Sequence, residues 1–272
     1  MKTRIISAAV LIPVLLLLVL VAPKILAALV MGAMFAIAAY ELLYRTRLVK
    51  QPRLVLYSCV MAFAVTLWSY FGALHAWLVL LMMGFWGLLF MEMMLDHIKV
   101  RVELLGLCFL AGAVVPYFLS AMVRILNMSI GRYVVLIPFV VAFLSDSGAY
   151  FVGLKFGHHK LAPVVSPNKT IEGAVGGVVT CMLSMVLYAL IISLIPGVKV
   201  NYLLAMFYGL VGSLVDIFGD LSFSIIKRQT GIKDYGNLIP GHGGVLDRFD
   251  SMVMVAPLIE ALLNLAPMVT VV

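Results

Sequence analysis

Long apolar runs separated by short, mostly basic connections make up nearly all of this chain. The runs fall at about 5–22, 25–44, 54–71, 74–95, 103–126, 133–155, 171–195, 202–227 and 252–271. A helix needs roughly 20 apolar residues to cross a hydrocarbon core. The pattern therefore predicts an all-α, polytopic membrane bundle of about nine transmembrane helices. The first two runs are split only by Pro23-Lys24. Lys2 and Arg4 precede the first run like the basic start of a signal peptide. No small-residue cleavage site follows, so an uncleaved anchor is expected.

The charges fix an orientation. Of the 19 Lys and Arg residues, all but Lys24, Arg124, Arg132 and Lys199 fall in one alternating set of connections. Cations concentrate on the cytoplasmic side of a membrane, which places the N-terminus inside. Composition agrees: 64% of the 272 residues are hydrophobic and 11% charged. Soluble domains are about 25% charged, so a soluble enzyme and a disordered chain are excluded. The net charge of +7 is spread over loops and forms no basic helix, so no nucleic-acid partner is expected. Cys59, Cys108 and Cys181 lie in apolar runs and read as small buried hydrophobes.

Polarity divides the chain. Residues 1–140 read as a scaffold of about five spans. Residues 141–272 carry nearly all the unusual polar groups and read as a catalytic region, with cytoplasmic loops at 156–170 and 227–250. Asp146 lies within an apolar helix, where an acid is costly unless it faces a bundle interior or wet cavity. Tyr150 shares its helical face. Ser166-Pro-Asn-Lys169-Thr170-Ile-Glu172-Gly173 leads into the next span, with Thr170 as expected N-cap. Gly173 and Gly177 form a small-xxx-small pair suited to close helix packing.

Gly209, Ser213, Asp216, Asp220, Ser224 and Lys227 fall on one helical face. Two acids a turn apart in a low-dielectric setting repel unless a cation or proton intervenes. Asp220 is seven residues from Lys227, about 10 Å along a helix, hence shallow and reachable from the cytoplasm. The 227–250 connection adds Lys227, Arg228, Lys233, Asp234, the Pro240-Gly-His242-Gly243-Gly244 turn, Asp247, Arg248 and Asp250. Glycine turns expose backbone N–H groups to anions. Lysine and arginine suit phosphate oxygens, and carboxylates suit magnesium. Together they point to phosphoryl or nucleotidyl transfer at a membrane surface.

The pattern Ser224-x-x-Lys227-Arg228, Lys233-Asp234, Gly236, Ile239-Pro240, His242-Gly243-Gly244 and Asp247-Arg248-Phe249-Asp250 resembles the signature of the phosphatidate cytidylyltransferases, also called CDP-diacylglycerol synthases, without departure over 27 positions. The 166–173 and 146–150 segments are similar to that family as well. These motifs cover about a quarter of the chain. The resemblance implies that CTP and phosphatidic acid give CDP-diacylglycerol and pyrophosphate, with magnesium and room for a second cation. It also implies a homodimer in the bacterial inner membrane with its site facing the cytoplasm. It assigns Asp220 and Asp247 as metal ligands, with Asp216 behind them. Lys169, Lys227, Arg228, Lys233 and Arg248 become phosphate binders. Ser224, Asp234, His242, Gly243, Gly244, Asp250, Ser166 and Asp146 line or orient the substrates. No general base is needed, since the lipid phosphate is already anionic near neutral pH.

Two other functions compete. A CTP-dependent polyprenol or phytol kinase would use similar parts on an alcohol acceptor. An ion-coupled transporter would also bury acids in helices, but no inverted repeat is present. A CDP-alcohol phosphotransferase is disfavoured because Asp-Gly-x-x-Ala-Arg does not occur. Glu260 and Asn264, four apart in the last span, read as hydrogen-bonding groups toward a neighbouring helix or subunit. His158 and His159 read as surface loop residues.

Overall fold

The structure is a computed structural model that describes residues 2–72 and 74–271. It bears out the all-α membrane bundle. Among the described residues, seven helices are long and apolar enough to cross a membrane: Lys24–Arg45, Pro52–Phe71, His75–Leu95, Val102–Asn127, Gly131–Phe156, Ile171–Ser193 and Tyr202–Gln229. The first and last expected spans are shorter apolar helices, with Ala9–Val21 and Met252–Leu265 as their apolar stretches. The chain is a multi-pass membrane protein.

The last span stops early. Pro267 cannot continue a helix and disfavours helical backbone at Ala266. Beyond it, Val269–Val271 is a strand, antiparallel to Val198–Val200, with Lys199 opposite Thr270. β-Branched residues suit that state. The expected loop at 156–170 also contains structure. Lys160–Ala162 pairs antiparallel with Ser166–Thr170.

Contacts divide the chain into two compact units, and both are discontinuous in sequence. Met1–Asn127 groups with Gln229–Phe249, and Met128–Arg228 groups with Asp250–Val272.

In the first unit the Lys24–Tyr40 helix ends in a wider π-helical turn, Glu41–Arg45. Pro52–Phe71 lies against it, and the Val102–Asn127 segment crosses close by. A Cβ at Gly112 would lie 2.8 Å from Ser58 Cα, so only glycine permits that approach. Arg124 donates to Ser69 Oγ at 3.0 Å and Ser120 Oγ at 2.9 Å, and its guanidinium lies 4.5 Å from the Tyr117 ring centroid. His75–Leu95 buries only Phe85 and Leu89 and leaves most of its apolar surface outward, as lipid contact allows.

In the second unit Ile137–Phe156 and Ile171–Ser193 pack through small residues. A Cβ at Gly173 would lie 2.7 Å from Ala149 O, and one at Gly177 would lie 2.7 Å from Ser145 O. The small-xxx-small pair is therefore a packing device. Cys181 and Cys108 are buried and all three cysteines are free. Asn264 donates to the Glu260 carbonyl of its own helix at 3.0 Å. Serine, threonine and asparagine in apolar helices often bond the carbonyl one turn back in this way.

Candidate functional site

The second unit contains a cavity of about 610 Å³ whose lining includes Asp146, Tyr150, Ser166, Lys169, Asp220 and Ser224. Each was singled out in the sequence, and three separate segments bring them together. Thr170 caps the helix that begins at Ile171, its Oγ1 accepting from Gly173 N at 3.1 Å. The cap and the Lys160–Ala162 pairing fix the strand that carries Lys169.

The hairpin has a second clamp. Glu172 accepts from the backbone N–H groups of His158 and His159 at 3.1 and 3.2 Å. The His159 ring nitrogen Nδ1 lies 2.6 Å from Glu172 Oε1. His159 is thus exposed but engaged.

Lys169 forms an ion pair with Asp220. Burial pushes the ammonium pKa down, but Asp220, then Asp146 and Asp216, pull it above its ordinary value. The lysine is a fixed cation among three acids.

The helical stripe of the Tyr202–Gln229 helix faces inward. Gly209, Ser213, Asp216 and Ser224 are buried, and Asp220 and Lys227 half-buried. Gly219, between the acids, sits where a Cβ would lie 2.9 Å from Ser251 O, so the helix meets the start of Met252–Leu265 at backbone distance. Asp216 is fully buried. Ser145 and Ser251 flank it, yet neither carboxyl oxygen is in a hydrogen bond, and Ser145 Oγ has no partner either.

Nearby in sequence, Lys227 Nζ lies 3.2 Å from Asp250 Oδ2. Arg228 Nε donates to Val165 O at 3.0 Å. Burial pushes the Asp250 carboxyl up to about 7, against the pull of Lys227.

In the first unit the glycine-rich connection folds around two carboxylates. Asp247 Oδ2 accepts from the N–H groups of Tyr235 at 2.8 Å, Gly244 at 2.9 Å and Gly236 at 3.4 Å. Glu41 accepts from Val245 N at 3.1 Å and Leu246 N at 2.8 Å. Gly243 has φ +87°, a left-handed backbone that favours glycine. Gly244 approaches Glu41 so closely that a Cβ there would lie 2.5 Å from its oxygens. Lys233, Asp234 and Arg248 are exposed, and His242 is half-exposed.

Sequence reasoning missed Glu41. It stands beside Arg45 at the end of a span, where a charge reads as an ordinary boundary residue. Its spacing from Gly244 carries no local signal.

Carboxylate and hydroxyl oxygens are the donors that a hard divalent cation prefers. The orphaned, buried Asp216 carboxyl beside Ser145 fits such a group. Among the described residues no three His, Cys, Asp or Glu side chains converge. Magnesium does not require such a cage, because it commonly takes one or two carboxylates and completes its shell with water and substrate phosphates.

A model of the Cytidylyltransferase family matches residues 2–266. The chain belongs to this family. Among curated relatives of this cytidylyltransferase family member, a protein of Staphylococcus epidermidis named phosphatidate cytidylyltransferase is 45% identical over 132 residues, 48% of this chain and 49% of the relative. One of Staphylococcus saprophyticus with the same name is 43% identical over 137 residues, 49% of this chain and 50% of the relative. One of Staphylococcus aureus, again with that name, is 44% identical over 133 residues. The chain thus spans about half the length of the curated relatives it matches.

Proposed function

We propose that this protein is a phosphatidate cytidylyltransferase, which makes CDP-diacylglycerol and pyrophosphate from CTP and phosphatidate at the cytoplasmic face of a bacterial inner membrane. The observation that carries this is the cavity in which Lys169, Asp220, Ser224 and Asp146 meet, in a chain of the Cytidylyltransferase family. The bias of cations toward one set of connections supports the cytoplasmic orientation. The homodimer is carried by the family resemblance.

A phosphate oxygen of phosphatidate attacks the α-phosphorus of CTP. The bond from that phosphorus to the β-bridging oxygen breaks, and pyrophosphate leaves with the electron pair. No proton has to be removed from the nucleophile. Both reactants are polyanions, so the task is to hold them together and to stabilise charge on the leaving group. Lys169 presents a fixed cation to phosphate oxygens at the cavity wall. Lys227 and Arg228, with Lys233 and Arg248, contribute further donors. Asp250 holds Lys227 in place, and Ser224 with Ser166 offers hydroxyls to the substrate. Asp146 sits at the cavity wall as a hydrogen-bond acceptor. Magnesium, bound through Asp220 with Asp216 behind it, would supply charge neutralisation; in the first unit Asp247 is the candidate metal ligand. Asp234, His242, Gly243 and Gly244 shape the connection that meets the substrates.

The test is transfer of label from α-labelled CTP to lipid in detergent micelles with phosphatidate, with magnesium and then with EDTA. Labelled CDP-diacylglycerol that requires both phosphatidate and magnesium is the expected result. Transfer of the γ-phosphate to an added polyprenol, with no labelled liponucleotide, would refute the assignment in favour of a lipid kinase.

A further inference from the structure

The first unit holds a second cavity, of about 750 Å³, whose lining takes in Asp234 and no other residue assigned above. Volumes of this order accommodate small-molecule ligands. Its wall carries Arg45, Arg47 and Lys50 from the end of the Lys24–Arg45 helix and the turn after it. Asp234 and Tyr235 also line it. Three cations thus share the lining with one carboxylate.

Cations in a cytoplasmic connection ordinarily point into solvent and serve only orientation. These differ in three respects. They line a concavity. Arg45 is held in position, its Nη2 donating to Asn237 Oδ1 at 3.0 Å. Arg47 has φ +62°, the one non-glycine residue with positive φ among those described. That backbone region favours glycine. A residue held there against its preference is a recurrent mark of functional sites. Among the described residues neither Arg47 nor Lys50 is in an ion pair.

Tyr235 is also held in position. It is fully buried, and its N–H is bound by Asp247 Oδ2 at 2.8 Å. The π-helical turn that begins at Glu41 carries Arg45 at its end, and the same Glu41 grips the backbone at Val245 and Leu246. Arg45 and Tyr235 are therefore anchored by contacts within the first unit.

We propose that this cavity binds a phosphate-bearing ligand. Arg45 and Arg47 present planar forks to phosphate oxygens and Lys50 a mobile point charge. Asp234 repels a bare anion but accepts from N–H or O–H donors, which favours a ligand carrying both. A nucleotide has both features in its polyphosphate and sugar. A lipid headgroup shares the phosphate. The choice between them rests on the function proposed above, whereas phosphate binding itself does not.

The probe is inorganic pyrophosphate, titrated calorimetrically into the full chain in detergent. The variants are wild type, the Arg47→Gln/Lys50→Gln double variant, Arg47→Gly and Lys99→Gln. Arg47→Gly is included because it relaxes the backbone, so a folding failure of the double variant does not decide the matter. Lys99→Gln removes a cation of the same unit outside the cavity. Pyrophosphate should bind the Arg47→Gln/Lys50→Gln and Arg47→Gly variants about tenfold or more weakly and Lys99→Gln as it binds wild type. Steady-state turnover then identifies the source. A raised KM for CTP alone supports a nucleotide, and a raised KM for phosphatidate alone supports a lipid headgroup. Unchanged pyrophosphate affinity with both KM values unchanged overturns the cavity while leaving the enzyme assignment intact. Weakened pyrophosphate binding in a protein with no cytidylyl transfer overturns the enzyme assignment and leaves the cavity standing.

Discussion

The carboxylate of Glu41 accepts the backbone N–H of Leu246 at 2.8 Å across 205 residues of chain. With Val245 N as a second donor, it pins the glycine-rich connection to a membrane helix. Glu41→Ala leaves two buried N–H groups without an acceptor, at about 1–3 kcal/mol each. It should raise hydrogen exchange at 244–247 and reduce turnover, while Glu41→Gln, which keeps an acceptor, should retain more of both. Unaltered exchange in the alanine variant would remove this role.

Asp247 is argued to do two things: accept three N–H groups through Oδ2 and, in the proposed function, bind magnesium. Asp247→Asn keeps an acceptor oxygen and loses the charge. It should fold with near-normal exchange protection at 235–236 and 244, yet lose turnover by roughly 100-fold or more. Asp247→Ala should lose both. Asp220→Asn should fold and be inactive. Magnesium-dependent turnover near wild type in either asparagine variant would sink the ligand assignment.

Asp250, whose carboxyl is pushed up to about 7 by burial, gives two opposite pH slopes. The folded state holds the proton more tightly than an unfolded carboxyl at 3.8, so this residue's contribution to stability falls as pH rises from 3.8 to about 7. The Lys227–Asp250 pair needs the ionised form, so turnover should rise over the upper part of the same interval. Asp250→Asn should flatten the stability slope and remove the acidic limb of the rate profile. Thermal scans and rates between pH 5 and pH 8 check both, at about 1.36 kcal/mol per pKa unit of linkage.

Gly177 packs against Ser145 O at a distance where a Cβ would lie 2.7 Å away. Gly177→Val should part the two helices, lower thermal stability in detergent and disturb the Lys169 wall built on them. Gly84, whose Cβ would meet nothing, should accept alanine without loss.

How much could be read beforehand follows from contrast. Asp146, Asp216, Asp220 and Ser224 stand out because a polar group in an apolar helix has to be explained. Their common face follows from helical periodicity. Lys169 stands out by its motif. Glu41 does not, since a carboxylate beside Arg45 at a span end looks like any boundary charge. The pairing of Val198–Val200 with Val269–Val271 was hidden because Val-Thr-Val is as apolar as a helix end. The hairpin at 160–170 was hidden by its brevity. The cavity beside Arg45, Arg47 and Lys50 depends on a left-handed arginine that no pattern announces.

The Glu41 clamp also dictates an order of events during synthesis. The acid is inserted early, while Val245 and Leu246 leave the ribosome about two hundred residues later. Until then its carboxylate lacks its final donors at the margin of the bilayer, where an uncompensated acid is expensive. A chain arrested before residue 245 would retain that uncompensated acid. Completion of the glycine-rich connection would erase it, so the same contact that shapes the mature protein would certify that the chain has been finished.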